Sequence, residues 1–138
     1  MFNKSVEQLT FEDVQAFLGE GHQESTHLDY KREMIKGEDI AKLAAAFANT
    51  EGGFIVFGVR EQNGRPVSPF EGEPLGKDPG QTVKQACYDK VRPALSVIVG
   101  PLLKNPKDEQ KAFLVVAAPQ SGKAPHVTAT DDRVYIKV

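Results

Sequence analysis

Apolar positions recur along this chain at two spacings, and the change from one to the other marks the element around which the rest is arranged. Ile40, Leu43, Ala44 and Phe47 fall at i, i+3, i+4 and i+7, which gives a helix one apolar face. Ala41, Ala45, Ala46 and Ala48 keep that helix slim enough to lie close against a sheet. Past Asn49-Thr50-Glu51-Gly52-Gly53 the pattern becomes the unbroken run Phe54-Ile55-Val56-Phe57. The run is too short for a buried helix and is rich in β-branched and aromatic residues. The stretch 46–59 therefore reads as a helix end, a glycine turn and a central strand. Asn49, Gly52 and Gly53 are the turn residues. The glycines fit a left-handed helix end, and glycine also lets a ligand approach the backbone.

The same reading predicts the other elements. Residues 9–19 form a short helix with Thr10 as N-cap, Asp13 answering it three residues on, Gly19 after the last turn, and Val14, Phe17 and Leu18 buried. In the strand that follows, Leu28 and Tyr30 face one side, while His27, Asp29 and Lys31 face the other. Glu38 and Asp39 suit the first turn of the long helix, where its dipole favours acids. Asn63-Gly64 opens a turn and an irregular loop. A helix from Pro79 or Gly80 to about Val91, with Val83, Ala86, Cys87 and Lys90 on one stripe, is ended by Pro93. Leu95–Leu103, Ala112–Ala118 and Arg133–Val138 read as strands, with Asn105-Pro106-Lys107-Asp108 a turn between the first two. The order gives one domain over 1–138, a mixed β-sheet flanked by helices.

Composition narrows the classes. With 138 residues, 40% hydrophobic and 26% charged, the chain has the size and composition of one globular domain. No apolar run reaches a membrane span, and the first ten residues lack a signal-peptide core, so a cytoplasmic protein is expected. Cys87, the single cysteine, rules out an intrachain disulfide and reads as a small buried hydrophobe. The net charge of −2 hides an asymmetry: residues 1–30 carry six acids against Lys4, and the remainder carries thirteen acids against sixteen Lys or Arg. A mild basic excess argues against strong non-specific nucleic-acid binding and leaves room for a local patch.

Chemistry concentrates in Glu24-Ser25-Thr26-His27-Leu28-Asp29-Tyr30-Lys31. Two carboxylates and a lysine there would suit a divalent ion held against phosphate oxygens. Glu24 and Asp29 face opposite sides of a regular strand and converge only where Ser25-Thr26 bend the chain, so an exposed Asp29–Lys31 ion pair is the competing reading. His22, His27 and His126 are scattered, without a metalloprotease spacing, and read as structural or exposed; no P-loop or dinucleotide fingerprint is present. Tyr30, Tyr88 and Tyr135 read as core more readily than as base-stacking groups.

Glu24-Ser25, Leu28-Asp29-Tyr30-Lys31, Ala46-Phe47-Ala48-Asn49-Thr50-Glu51-Gly52-Gly53 and Phe54–Val59 together resemble the AlbA_2 domain of the Schlafen-like family. Val91-Arg92-Pro93, Val115–Pro119, Lys123-Ala124-Pro125 and Arg133–Val138 extend the resemblance over about residues 9–138, with a core motif from 24. It implies an α/β fold and association with DNA or RNA, often at the head of a longer regulator-like protein. In vertebrate Schlafens a related core cleaves RNA with three carboxylates and a divalent metal. Two of these fall on Glu24 and Asp29, the latter replacing the usual Glu. The third belongs to a Gly-Val-Asp-Asp segment where this chain has Gly58-Val59-Arg60-Glu61. Glu61 would substitute only with a one-residue shift, whereas Arg60 brings a phosphate-seeking guanidinium to that place.

The expected function is therefore a nucleic-acid-binding domain, non-enzymatic or weakly enzymatic and with no cofactor expected, that places Lys31, Arg32, Arg60, Arg65 and Lys123 on phosphates. The alternatives are an Mg2+- or Mn2+-dependent endoribonuclease using Glu24, Asp29, Glu61 and Lys31, and a regulatory protein-interaction module. In Schlafens the nucleic-acid groove lies between two related lobes. This chain holds one lobe's worth of motif, so a homodimer is expected, with Arg133–Val138 as one candidate edge.

Overall fold

A computed structural model describes residues 2–138. A 3₁₀ turn, Val6–Gln8, leads into α1, Phe11–Gly19. The Thr10 side chain accepts from the Asp13 amide and the Asp13 carboxylate accepts from the Thr10 amide, the reciprocal cap that the sequence pattern predicts. Strand β1 (Leu28–Lys31), helix α2 (Gly37–Ala48) and strand β2 (Gly52–Phe57) follow. A small hairpin, β3 (Glu61–Gln62) and β4 (Arg65–Pro66), precedes α3 (Pro79–Asp89). The chain then forms β5 (Val91–Arg92), β6 (Ile98–Val99), β7 (Leu103–Asn105), the long β8 (Asp108–Pro119) and β9 (Val127–Thr128).

The main sheet has the order β1-β2-β8-β6, with β7 also on β8. β1 runs parallel to β2, Leu28 opposite Phe54 and Lys31 opposite Phe57, and β8 runs antiparallel to β2. The expected mixed α/β sheet is thus observed. Side-chain alternation divides the core between the two faces. Leu28, Tyr30, Val56, Phe113 and Val115 pack with Val14, Phe17 and Leu18 of α1. Ile55, Phe57, Leu114 and Val116 pack with Ile40, Ala44 and Phe47 of α2 and with Val83, Ala86 and Cys87 of α3. Cys87 is fully buried, and burial pushes its thiol up to about 12.

Several sequence expectations are corrected. Helix α3 stops at Asp89, before Val91, whose backbone pairs with Thr128; Pro93 lies beyond that stop. Lys90 of the expected stripe is exposed. The expected strand 95–103 shrinks to β6 and the start of β7, interrupted at Gly100-Pro101, where proline has no N–H to donate. The expected Asn63-Gly64 turn is present and closes a short hairpin, with both residues at positive φ, as a type I′ turn requires. Gly52 has φ +83° but opens β2 instead of capping α2, whose C-cap is Asn49. Arg133–Val138 is not a strand: among the described residues its ladder contact is one bridge, Val127 to Val134. The segment lies along α2 with Tyr135 and Lys137 inward and Val134, Ile136 and Val138 exposed. Tyr88, expected in the core, is 72% exposed. No helix among the described residues is long and apolar enough to cross a membrane.

Candidate functional site

The parallel strands β1 and β2 end side by side, and the chain leaving β2 folds back on β1. The Lys31 carbonyl accepts from the amides of Gly58 (2.7 Å) and Val59 (3.1 Å). That clamp puts Arg60 next to Lys31 and Arg32. With Glu61 of the hairpin, these three cations line one open cleft of about 500 Å³. Three of the five residues expected on phosphates therefore converge. Arg65 does not join them: its guanidinium donates to the Gly21 carbonyl and to Gln23 Oε1, both at 3.3 Å. Lys123 lies on the loop after β8, beyond the Gly52–Pro119 end of the sheet, whereas the cleft sits beyond the Phe57–Leu114 end.

The three cations differ in their partners. Lys31 Nζ is 3.2 Å from Asp29 Oδ1, the neighbouring pair that strand alternation predicts. Arg32 Nε donates to Glu73 Oε1 at 2.8 Å, which raises the already high guanidinium pKa. Arg60 has no ion pair among the described residues. Its charge helps Lys111 to hold the Glu71 carboxyl below the usual range.

The carboxylates are spent on structure. Glu24 Oε2 accepts from the Tyr30 amide at 2.9 Å, satisfying a donor on the open edge of β1. A turn at Ser25–Leu28 supplies the bend this needs. Burial first, and then the charges of Asp29 and Glu61, raise the Glu24 pKa, so the three acids sense one another. Glu61 Oε2, however, accepts from the Gly64 amide at 2.8 Å and steadies the hairpin turn. Asp29 lies between Lys31 and Lys137 (3.7 Å from Oδ2), and its buried Oδ1 has proximity to Lys31 without hydrogen-bond alignment. Among the described residues no three His, Cys, Asp or Glu side chains stand together as an ion's ligand set. The donor set of Glu24, Asp29 and Glu61 thus does not fit a divalent metal in this arrangement.

The histidines are structural or exposed, as expected. His22 stacks on Phe17, and His27 bridges the Gly52 carbonyl and Glu51. His126 is buried between the Pro93 carbonyl and the Ser121 hydroxyl. Sequence reasoning missed Lys137, which faces Asp29, and Glu73, which holds Arg32. Neither has a local motif, since each meets its partner only through the tertiary fold. It also missed the reach of Asn49, whose side chain bonds the backbone of His126 and Tyr135.

A mixed sheet with helices on both faces and a cationic cleft at the joined ends of two parallel strands defines an α+β domain with an open basic site at its edge. The family described as Schlafen, AlbA_2 matches residues 24–138, and the chain belongs to that family. Among eleven solved chains that match is the DIP2311 protein from Corynebacterium diphtheriae. It is 21% identical with a TM-score of 0.52, over 91% of this chain and 24% of that one, so this chain spans about a quarter of its length. At that identity the likeness speaks for the fold alone. No curated protein matches the chain.

Proposed function

We propose that the cleft formed by Lys31, Arg32 and Arg60 binds the phosphate backbone of a nucleic acid. The observation that carries this reading is the convergence of three cations, one of them without an ion pair among the described residues, on a single open cleft. Membership of the Schlafen, AlbA_2 family supports it. Among the described residues no helix lines the cleft and Gln62 is its single side-chain amide, so backbone contact is favoured over sequence readout. Lys31, Arg32 and Arg60 replaced together by Ala should weaken binding to labelled duplex DNA and tRNA alike. The slope of log K against log salt should flatten by about 2 to 3, one for each lost phosphate contact. An unchanged slope would refute the assignment of this face. A second copy related by a two-fold axis would double each cation and enclose what one cleft leaves open. Light scattering at tens of micromolar, with and without nucleic acid, checks that dimer, and a monomer mass in both refutes it.

A further inference from the structure

The pair Arg32–Glu73 has a feature that a surface salt bridge does not need. Glu73 is fixed: its amide and carbonyl exchange hydrogen bonds with those of Ala112 on β8 (3.1 and 3.0 Å), and its side chain is 16% exposed. Gly72 makes that seat accessible, because with φ +81° a Cβ there would meet the Ala112 backbone at 2.7 Å. Arg32 is its opposite, with a side chain 64% exposed. The bond runs through Nε alone, so among the described residues the two Nη groups make no hydrogen bond. An exposed pair of this kind adds little to stability. What it does achieve is orientation. With Nε anchored, the planar guanidinium can turn little, and its end-on pair of N–H groups is left for a bidentate acceptor on the cleft that Lys31 and Arg60 also line.

We infer that Glu73 is a positioning residue for nucleic-acid binding, holding the Arg32 guanidinium by Nε so that its Nη fork grips a backbone phosphate. This rests on the function proposed above. It makes a prediction opposite in sign to simple electrostatics: removing an acid beside a cationic cleft should strengthen binding, whereas removing an orienting acid should weaken it.

Fluorescence anisotropy with a labelled oligonucleotide, on the full chain, separates the cases. Arg32→Ala and Arg32→Lys should each lose about tenfold in affinity, Lys because a point charge lacks the fork. Glu73→Ala should also weaken binding, and Arg32→Lys should cost nothing more in that background. Glu73→Gln, whose amide oxygen still accepts from Nε, should fall between wild type and Glu73→Ala. Thermal melting confirms that the variants are folded, and the Arg32→Lys comparison in the Glu73→Gln background serves if Glu73→Ala is not. If Arg32→Ala weakens binding while Glu73→Ala leaves it unchanged or tightens it, Glu73 is a bystander or a competitor and the inference is overturned, with the cleft's function intact. If neither Arg32 variant changes affinity, the reading of the cleft fails and takes this inference with it.

Discussion

The Asn49 side chain grips the backbone of His126, 77 positions away, from both directions. Its Oδ1 accepts from the His126 amide at 2.6 Å, and its Nδ2 donates to the His126 carbonyl at 2.9 Å. The same Nδ2 donates to the Tyr135 carbonyl at 3.0 Å. One amide at the C-cap of α2 therefore pairs three backbone groups on two segments: the amide and carbonyl of His126 and the carbonyl of Tyr135. Only an amide offers a donor and an acceptor in this geometry.

Asn49→Ala should accordingly destabilise the domain by about 3 kcal/mol, because it orphans half-buried backbone groups instead of merely deleting a contact. Asn49→Asp should fare no better, since a carboxylate accepts from the His126 amide but faces two carbonyls without a proton to give. Urea denaturation of the three proteins measures this. An Asp variant as stable as wild type would mean that the two donated bonds contribute nothing.

Gly52 and Gly53 should both resist substitution, for different reasons. Gly52 has positive φ, and a Cβ there would lie 2.8 Å from the Gln120 amide nitrogen. Gly53 has an ordinary φ, but its Cβ would stand 2.4 Å from the Phe47 ring and 2.8 Å from the His27 carbonyl. Each alanine variant should lose more than about 1 kcal/mol, with Gly53→Ala the worse because Phe47 is fully buried and the core around it is close-packed. Expression and melting temperature of the two variants decide the point.

These residues also show what was legible in the sequence. The Thr10–Asp13 cap, the Leu28/Tyr30 alternation and the helix–glycine–strand unit could be read because each is set by neighbours within a turn or a strand. Arg133–Val138 was misread for a physical reason. Val134, Ile136 and Val138 alternate as a strand would, yet they face solvent, while Asn49 takes the backbone bond that a neighbouring strand would have supplied. The site was half legible. Strand spacing announces the Asp29–Lys31 pair, and Arg60 stands out against the family pattern. The partners Glu73 and Lys137, and the withdrawal of Arg65 onto Gly21 and Gln23, arise from loop packing that leaves no periodic trace.

Glu24 should set a pH dependence of stability. Burial is the leading cause of its raised pKa, with Asp29 and Glu61 adding to it. A carboxyl whose folded pKa exceeds its unfolded value of 4.5 favours the fold in its protonated form. That contribution is complete below the unfolded pKa and is lost as pH rises through the folded one. Glu24→Gln stays uncharged and can still accept from the Tyr30 amide. Its stability relative to wild type should therefore be near zero in acid and grow in its favour as pH climbs through the folded pKa. Denaturant melts from pH 4 to 8 test this, and a gain that shrinks with rising pH would contradict it.

The last expectation concerns divalent metal. A ligand raises the melting temperature only if it prefers the folded state, by an amount that follows RT ln(1 + [L]/Kd). An ion at Glu24, Asp29 and Glu61 would first have to take Glu24 from the Tyr30 amide, Glu61 from the Gly64 amide, and Asp29 from two lysines. Each exchange gives up a formed interaction before any metal–oxygen bond is gained, and the Arg60 guanidinium lines the same cleft as Glu61. Millimolar Mn2+ should therefore shift the melting temperature of wild type and of Asp29→Asn equally or not at all, and labelled tRNA should bind with the same affinity in Mn2+ and in EDTA after correction for ionic strength. A Mn2+-dependent rise present in wild type and lost in Asp29→Asn would show that these carboxylates rearrange into an ion site. Cleavage of the tRNA in the same samples would then make the cleft a nuclease.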